Sequence, residues 1–236
     1  MQFAPLYPIL YRILKPTFPN CLWAGPKSHR AIALTFDDGP HRRYTPELLQ
    51  VLDRYSIKAS FFWLGNCVTQ TSNIAREVYQ RGHWIGLHGY YHQSFPLLSS
   101  DALRQSLLRT QEAISQACQI APERVIDVRP PNGLFTPQTL NLLQKWNYRP
   151  VMWSVVPEDW QFPSISVVVK RVIQQVESGS LIVLHDGYYG GENVARTTEQ
   201  LVPQLLQLGY NFVTISKLWQ LYQGGFDRNE DRSDGK

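Results

Sequence analysis

AIALTFDDGP, residues 31–40, runs from a short apolar, β-prone stretch (AIALTF, 31–36) into two adjacent aspartates and a Gly-Pro turn signal. Neighbouring carboxylates at the end of a buried strand repel each other and lose hydration, so such a pair needs a cation, a proton or an arginine nearby. The plainer alternative is an Asp-rich turn, for which Asp-Gly-Pro is ordinary chemistry. The rest of the chain decides between the two.

Working outward, β-rich runs recur at 59–63 (ASFFW), 84–87 (WIGL), 125–128 (VIDV), 151–155 (VMWSV), 181–184 (LIVL) and 211–215 (NFVTI). Helical periods fall between them near 45–55, 73–81, 100–118, 136–146, 164–177 and 194–208, several opened by Pro or by a Ser, Thr or Asn cap. Alternation of this kind predicts an α/β fold, either a (β/α) barrel or a doubly wound sheet. Both carry their ligands at the carboxyl ends of the strands.

The strand ends are where the chemistry-bearing residues collect. Asp37 and Asp38 close the first run, His88 and His92 follow the third, and Arg129 follows the fourth. Glu158, Asp159 and Trp160 come after the fifth, and His185 with Asp186 after the sixth. Scattered surface polarity would rarely gather at so many strand ends, so the enzyme reading displaces the turn reading. The i, i+4 pair in LHGYYHQ is expected to set both imidazoles on one side of a helical turn, within reach of one metal ion. With a carboxylate from another strand it makes a two-histidine, one-carboxylate site with positions left for water and substrate.

Composition removes several alternatives. With 236 residues, 43% hydrophobic and 18% charged, the chain suits one large core better than two enzymatic domains. Net charge is +4, but no basic run exceeds Arg42-Arg43, which argues against a nucleic-acid partner. Three widely spaced cysteines (Cys21, Cys67, Cys118) give neither a disulfide framework nor a zinc-ribbon spacing and read as small buried hydrophobes. No stretch reaches the roughly eighteen to twenty apolar residues of a membrane span. The N-terminal FAPLYPILYRILKPTFP is broken by prolines and cations and lacks a cleavage site, so no clear signal peptide is expected and a cytoplasmic or non-classically exported protein is. Residues 1–30 are read as a segment packing on the barrel, with a membrane-surface anchor as the alternative use. Residues 31–222 are read as the catalytic domain, and 223–236, ending GGFDRNEDRSDGK, as a mobile tail.

TFDDGP, HGYYH, RPPNG, PEDW and IVLHDG, in this order over residues 35–187, resemble the five motifs of the polysaccharide deacetylase family, also called carbohydrate esterase family 4. The resemblance extends over roughly 31–216. It implies a single-domain, distorted (β/α)7 barrel that removes acetyl groups from N-acetylated sugars with one divalent metal, zinc first and cobalt, nickel, manganese or iron as alternatives. By position it implies Asp37 as general base, Asp38, His88 and His92 as metal ligands, and Arg129 as the partner of the base. His185 is implied as general acid with Asp159 favouring its imidazolium. Trp160 and Val183, two residues before His185 on the same strand face, are expected to wall a slot for the acetyl methyl. Pro131 and Asn132 are expected at the substrate, the backbone N–H of Asn132 facing the oxyanion. The implied partner is an acetylated glycan; no protein partner is indicated.

Three positions depart from the common family form. Gly89 stands where a hydroxyl usually braces the loop after the first histidine, Asn132 replaces an aromatic, and Val156 replaces an acidic residue. None removes a ligand, base or acid, but together they imply a substrate other than plain chitin. An O-acetyl polysaccharide esterase and a non-catalytic carbohydrate-binding protein remain the competing readings. His29, His41 and His83 are expected in surface or loop roles, and Asp186 with Gly187 as a strand terminator or a support for His185. Tyr90, Tyr91, Phe135, Tyr188 and Tyr189 are expected near the strand ends, either stacking on sugar rings or packing at the barrel mouth.

Overall fold

In the computed structural model, which describes residues 4–230 with side chains from 4 to 222, parallel strands curl into a distorted (β/α)7 barrel that forms one domain. The strands are β1 (Ala31–Asp37), β2 (Ser60–Trp63), β3 (Trp84–Leu87), β4 (Asp127–Val128), β5 (Arg149–Pro150), β6 (Leu181–His185) and β7 (Asn211–Phe212). Their order is β5-β4-β3-β2-β1-β6, with β7 paired to the start of β1. The helices are α1 (Tyr7–Thr17), α2 (Tyr44–Arg54), α3 (Gly65–Gln70), α4 (Ser72–Gln80), α5 (Ser100–Cys118), α6 (Pro137–Lys145), α7 (Ile165–Gln175), α8 (Val194–Gln207) and α9 (Ile215–Glu230). Within the expected tail α9 runs on to Glu230, and residues 231–236 lie outside the described residues.

The continuous apolar character of 31–36 follows from burial on both faces of a parallel strand. Ile32, Leu34 and Phe36 turn outward into the layer shared with the helices, where Phe36, Phe61 and Trp63 follow one another at 5.2 Å between ring centroids. Ala33 packs instead with Phe62 and Leu181. Since side chains alternate along a strand, Thr35 and Asp37 share the face of Ala33, as Val183 and His185 share that of Leu181. Parallel pairing then sets Thr35 beside Val183 and Asp37 beside His185. The two candidate proton carriers thus meet through strand register.

The expected strand at 151–155 is corrected. The ladder lies at Arg149–Pro150, and 151–155 crosses irregularly toward β6, touching it at Val155↔Ile182 and the N-terminal segment at Leu22↔Val151. The backbone N–H groups of Ser154 and Val155 both donate to the Leu181 carbonyl, at 3.0 Å each, a bulge-like arrangement that breaks the regular pairing. This crossing closes the barrel between its two edge strands. Below it, fully buried Asp127 accepts from Arg149 Nε and Nη2 (2.9 Å each), Trp84 Nε1 (2.7 Å) and Trp219 Nε1 (2.9 Å). A buried carboxylate with four donors is satisfied, and it ties α9 to the barrel floor.

Two smaller expectations are also settled. Cys21 and Cys118 are buried thiols and Cys67 is half-buried, with no disulfide among them. His83 is a correction: it is buried against Phe61, and its Nδ1 accepts from the Ala59 N–H at 3.1 Å. Burial pushes its imidazole down to about 4, so it serves as a neutral core acceptor and takes no surface role.

Candidate active site

The carboxyl ends of β1, β3, β4 and β6 surround a cavity of about 430 Å³. Asp37, Asp38, His88, His92, Arg129, Trp160 and His185 from the strand ends line it, as do Asn132 and Val183, which the resemblance implied, whereas Glu158 and Asp186 do not. Pro131 does not either: it is buried beneath the wall, and Pro130 and Gly133 reach the cavity in its place. Asp159 stands behind His185.

The chain turns sharply after Asp37. Asp38 has φ 73°, a left-handed conformation that aspartate tolerates better than most residues, and its N–H donates to the Phe62 carbonyl at 3.1 Å. Gly39 is needed for close approach, because a Cβ there would lie 2.4 Å from both oxygens of Asp186. Asp186 is therefore a buried brace as well as a strand terminator: Thr45 Oγ1 donates to its Oδ2 at 2.5 Å, and burial pushes its carboxyl up to about 7.

His88 and His92 do not share a helical turn. His88 leaves the end of β3, its N–H bonded to the Trp63 carbonyl at 2.9 Å, and residues 88–92 form a bend in which Gly89 has φ +85°. Glycine is favoured there by that backbone angle, and a Cβ would come within 3.2 Å of the Tyr91 carbonyl. The missing hydroxyl has a substitute from α5, since Ser106 Oγ accepts from the Tyr90 N–H at 2.8 Å. Gly65 and Asn66 amides hold the same bend through the Gly89 and Tyr90 carbonyls. The long-range bracing brings the imidazoles together, their centroids 5.3 Å apart.

Donor chemistry tests whether this corner suits a cation. Both Nε2 atoms lie 3.4 Å from Asp38 Oδ1, which is buried without a hydrogen-bond partner. His88 Nδ1 meets the Arg129 carbonyl at 2.7 Å, and a carbonyl only accepts, so Nδ1 carries a proton and the neutral ring presents its lone pair at Nε2. In the neutral form of the rings, acceptors that face the Asp38 oxygen at 3.4 Å suit a positive ion between them. Two donors about 2.0 Å from one tetrahedral ion would stand about 3.3 Å apart, so the set fits a small divalent metal.

Two ion pairs flank that corner. Arg129, buried, donates through Nη1 to Asp37 Oδ1 at 2.6 Å and to Thr35 Oγ1 at 2.8 Å, and through Nη2 to the Met152 carbonyl at 2.8 Å. Its guanidinium carbon lies 4.1 Å from the centroid of the Phe62 ring, so its plane and charge are both fixed. On the other side, Asp159 accepts from the His185 backbone N–H and from Nδ1, at 2.8 Å each. Burial opposes charge on His185, but Asp159, helped by Asp38 and Asp37, outweighs it and pushes the imidazole up to about 10 from an ordinary 6.5. Nε2 is left as the proton-donating atom. Trp160 stands edge-on to this ring at 5.0 Å and, with Val183 and Val156, makes an apolar wall.

Asn132, at φ 60° on the opposite lip, donates from Nδ2 to Ser94 Oγ at 2.9 Å. Among the expected aromatics, Tyr189 lines the cavity, Tyr91 and Tyr188 are exposed, Tyr90 packs under Arg109, and Phe135 is drawn away against Phe18 and Trp23. Besides Pro130 and Gly133, two aromatic wall residues were not expected from the sequence. Trp153 comes from the irregular crossing after β5, and Tyr7 from α1, their rings edge to face at 5.3 Å. Trp153 carries a weak signal as an aromatic inside a strand-like run; Tyr7 carries none.

The polysaccharide deacetylase family model matches residues 24–151. A peptidoglycan-N-acetylglucosamine deacetylase of Bacillus cereus is 30% identical over 212 residues, which span 89% of this chain and 97% of that protein. Among solved structures, the Bc1960 peptidoglycan N-acetylglucosamine deacetylase in complex with 4-naphthalen-1-yl-N-oxidanyl-benzamide superposes with a TM-score of 0.81 at 29% identity, covering 85% of this chain and 93% of that one. A family 4 acetyl xylan esterase from Clostridium thermocellum in complex with a cobalt ion gives 0.75 at 30% identity, covering 81% and 91%.

Proposed function

Because the chain belongs to the polysaccharide deacetylase family, and is a hydrolase of that family, we propose that it removes the acetyl group from N-acetylglucosamine units of a poly- or oligosaccharide, with one divalent metal held by Asp38, His88 and His92. The observation that carries the reading is the orphaned Asp38 oxygen facing two imidazoles, set between the Asp37–Arg129 and His185–Asp159 pairs in one cavity. When bound, the ion supplies Lewis acidity toward the amide carbonyl and toward water.

The chain's own residues move the protons. Asp37, oriented by Arg129, takes a proton from the attacking water as its oxygen bonds to the carbonyl carbon. Trp160, Val183 and Val156 receive the acetyl methyl and keep bulk water from that side. The Asn132 N–H steadies the oxyanion. As the C–N bond breaks, the imidazolium of His185 gives its Nε2 proton to the departing nitrogen, yielding acetate and a free amine. Asp159 stabilises the charged form of that imidazole and fixes its orientation.

An acetate-release assay on peptidoglycan fragments, chitooligosaccharides and acetylxylan, with added zinc or cobalt and a chelated control, tests the proposal. Chelator-sensitive release from the N-acetylated glycans is the expected result. Release from acetylxylan alone would instead identify the O-acetyl esterase reading, which the similarity to the acetyl xylan esterase keeps in view. Glycan binding without turnover and unaffected by chelator would identify a carbohydrate-binding protein.

A further inference from the structure

Helix α1 is apolar on two sides, and the domain uses one of them. Tyr11 is buried with Cys21, Trp23 and Met152, and Leu14 and Phe18 pack against the same cluster. The other side carries Leu6, Ile9, Leu10 and Ile13, which are 49%, 54%, 43% and 59% exposed. Their i, i+3, i+4, i+7 spacing makes one continuous stripe about 100° wide. Four large aliphatic side chains in a row differ from the isolated apolar residues that any surface carries.

Charge distinguishes the occupant. Arg12 is exposed on the flank of the stripe, and Lys15 lies one turn from Tyr11, whose hydroxyl it contacts at 3.2 Å. From Ala4 to Phe36 the sequence holds Arg12, Lys15, Lys27 and Arg30 and no aspartate or glutamate. Lys27 is paired with Glu177, and Arg30 donates to the backbone carbonyls of Leu208 and Gly209 and lies over the Tyr210 ring. An aliphatic stripe flanked by Arg12, on a helix that itself carries cations and no carboxylate, matches a surface that is apolar below and anionic above.

We propose that α1 docks the protein onto an anionic lipid bilayer, lying in the interface plane with Leu6, Ile9, Leu10 and Ile13 among the acyl chains and Arg12 at the headgroups. With 11 residues the helix lies on the membrane, and no helix among the described residues is long and apolar enough to cross one. Tyr7 follows Leu6 on the adjacent side of the helix and lines the catalytic cavity, so docking sets the cleft beside the headgroups. The lipid contact itself is independent of the catalytic reading.

Vesicle flotation tests it, with phosphatidylcholine vesicles containing about one-third phosphatidylglycerol against pure phosphatidylcholine. The full chain is expected to float with the anionic vesicles and to be released as salt rises. Ile9→Glu/Ile13→Glu should weaken partitioning at least about tenfold, and Arg12→Glu several-fold, while acetate release from a soluble chitooligosaccharide stays unchanged. Leu10→Gln, a milder change on the same stripe, should weaken it in the same direction. Absence of flotation, equal flotation of the double variant, or a solution dimer of the native chain that the double variant dissociates would overturn the proposal, the last by assigning the stripe to a second copy.

Discussion

Asp159→Asn removes a charge while keeping the shape of the side chain beside His185. Asp159 is the largest contributor that raises the imidazole and, with Asp38 and Asp37, outweighs burial to bring it from 6.5 to about 10. Loss of the whole effect would lower the imidazole by about 3.5, or about 5 kcal/mol of preference for the protonated form. Burial, which opposes the charge, would pull it further down, while Asp38 and Asp37 continue to favour the cation. The general-acid role needs the proton in place, so the alkaline limb of kcat/KM reports this group. A metal bound to Asp38 lowers the limb in both proteins, and the difference between them is the quantity to measure. Were the limb to fall from near 10 to near 7, the protonated fraction at pH 8.5 would drop about thirtyfold, with much of the rate recovered at pH 6. The pH–rate profile on a chitooligosaccharide provides the assay. An alkaline limb that does not move would show that His185 is not the acid or that Asp159 does not set its charge. Stability carries the same signature: a raised imidazole contributes fully below 6.5 and loses its contribution as pH rises through about 10, so the melting temperature of the native protein should decline over that window more than that of the variant.

The other predictions concern single roles. His88→Ala/His92→Ala should abolish stoichiometric zinc retention by equilibrium dialysis, and full occupancy in that variant would remove these residues from the ligand set. Asp37→Asn should keep the metal yet lose roughly 10²- to 10⁴-fold in kcat, and near-native turnover would exclude it as the base. Tyr7→Ala should raise KM several-fold with kcat little changed, because the ring lines the cavity beside Trp153 away from the proton carriers; an unchanged KM would mean that glycan does not touch this wall.

Much of the protein was determined by short stretches of chain. Continuous apolar runs such as AIALTF and LIVL, alternating with helical periods, predict an α/β fold, and the residues after them predict where the chemistry gathers, because such sheets carry their ligands at the carboxyl ends of the strands. The spacing of His88 and His92, by contrast, suggested a helical turn, and the structure replaced it with a bend. That bend depends on α5 and on the amides of Gly65 and Asn66, partners distant along the chain. Strand register is equally non-local: no local pattern states that Asp37 lies beside His185, or that the Thr35 hydroxyl meets Arg129. His83 reads as a loop histidine until the core closes over it and the Ala59 N–H claims its Nδ1. The same holds for the exposed stripe of α1. Its amphipathic pattern can be read from the sequence, but which apolar side the barrel covers is decided by Tyr11 meeting Trp23 and Met152, so only the folded chain shows that Leu6, Ile9, Leu10 and Ile13 remain in contact with solvent.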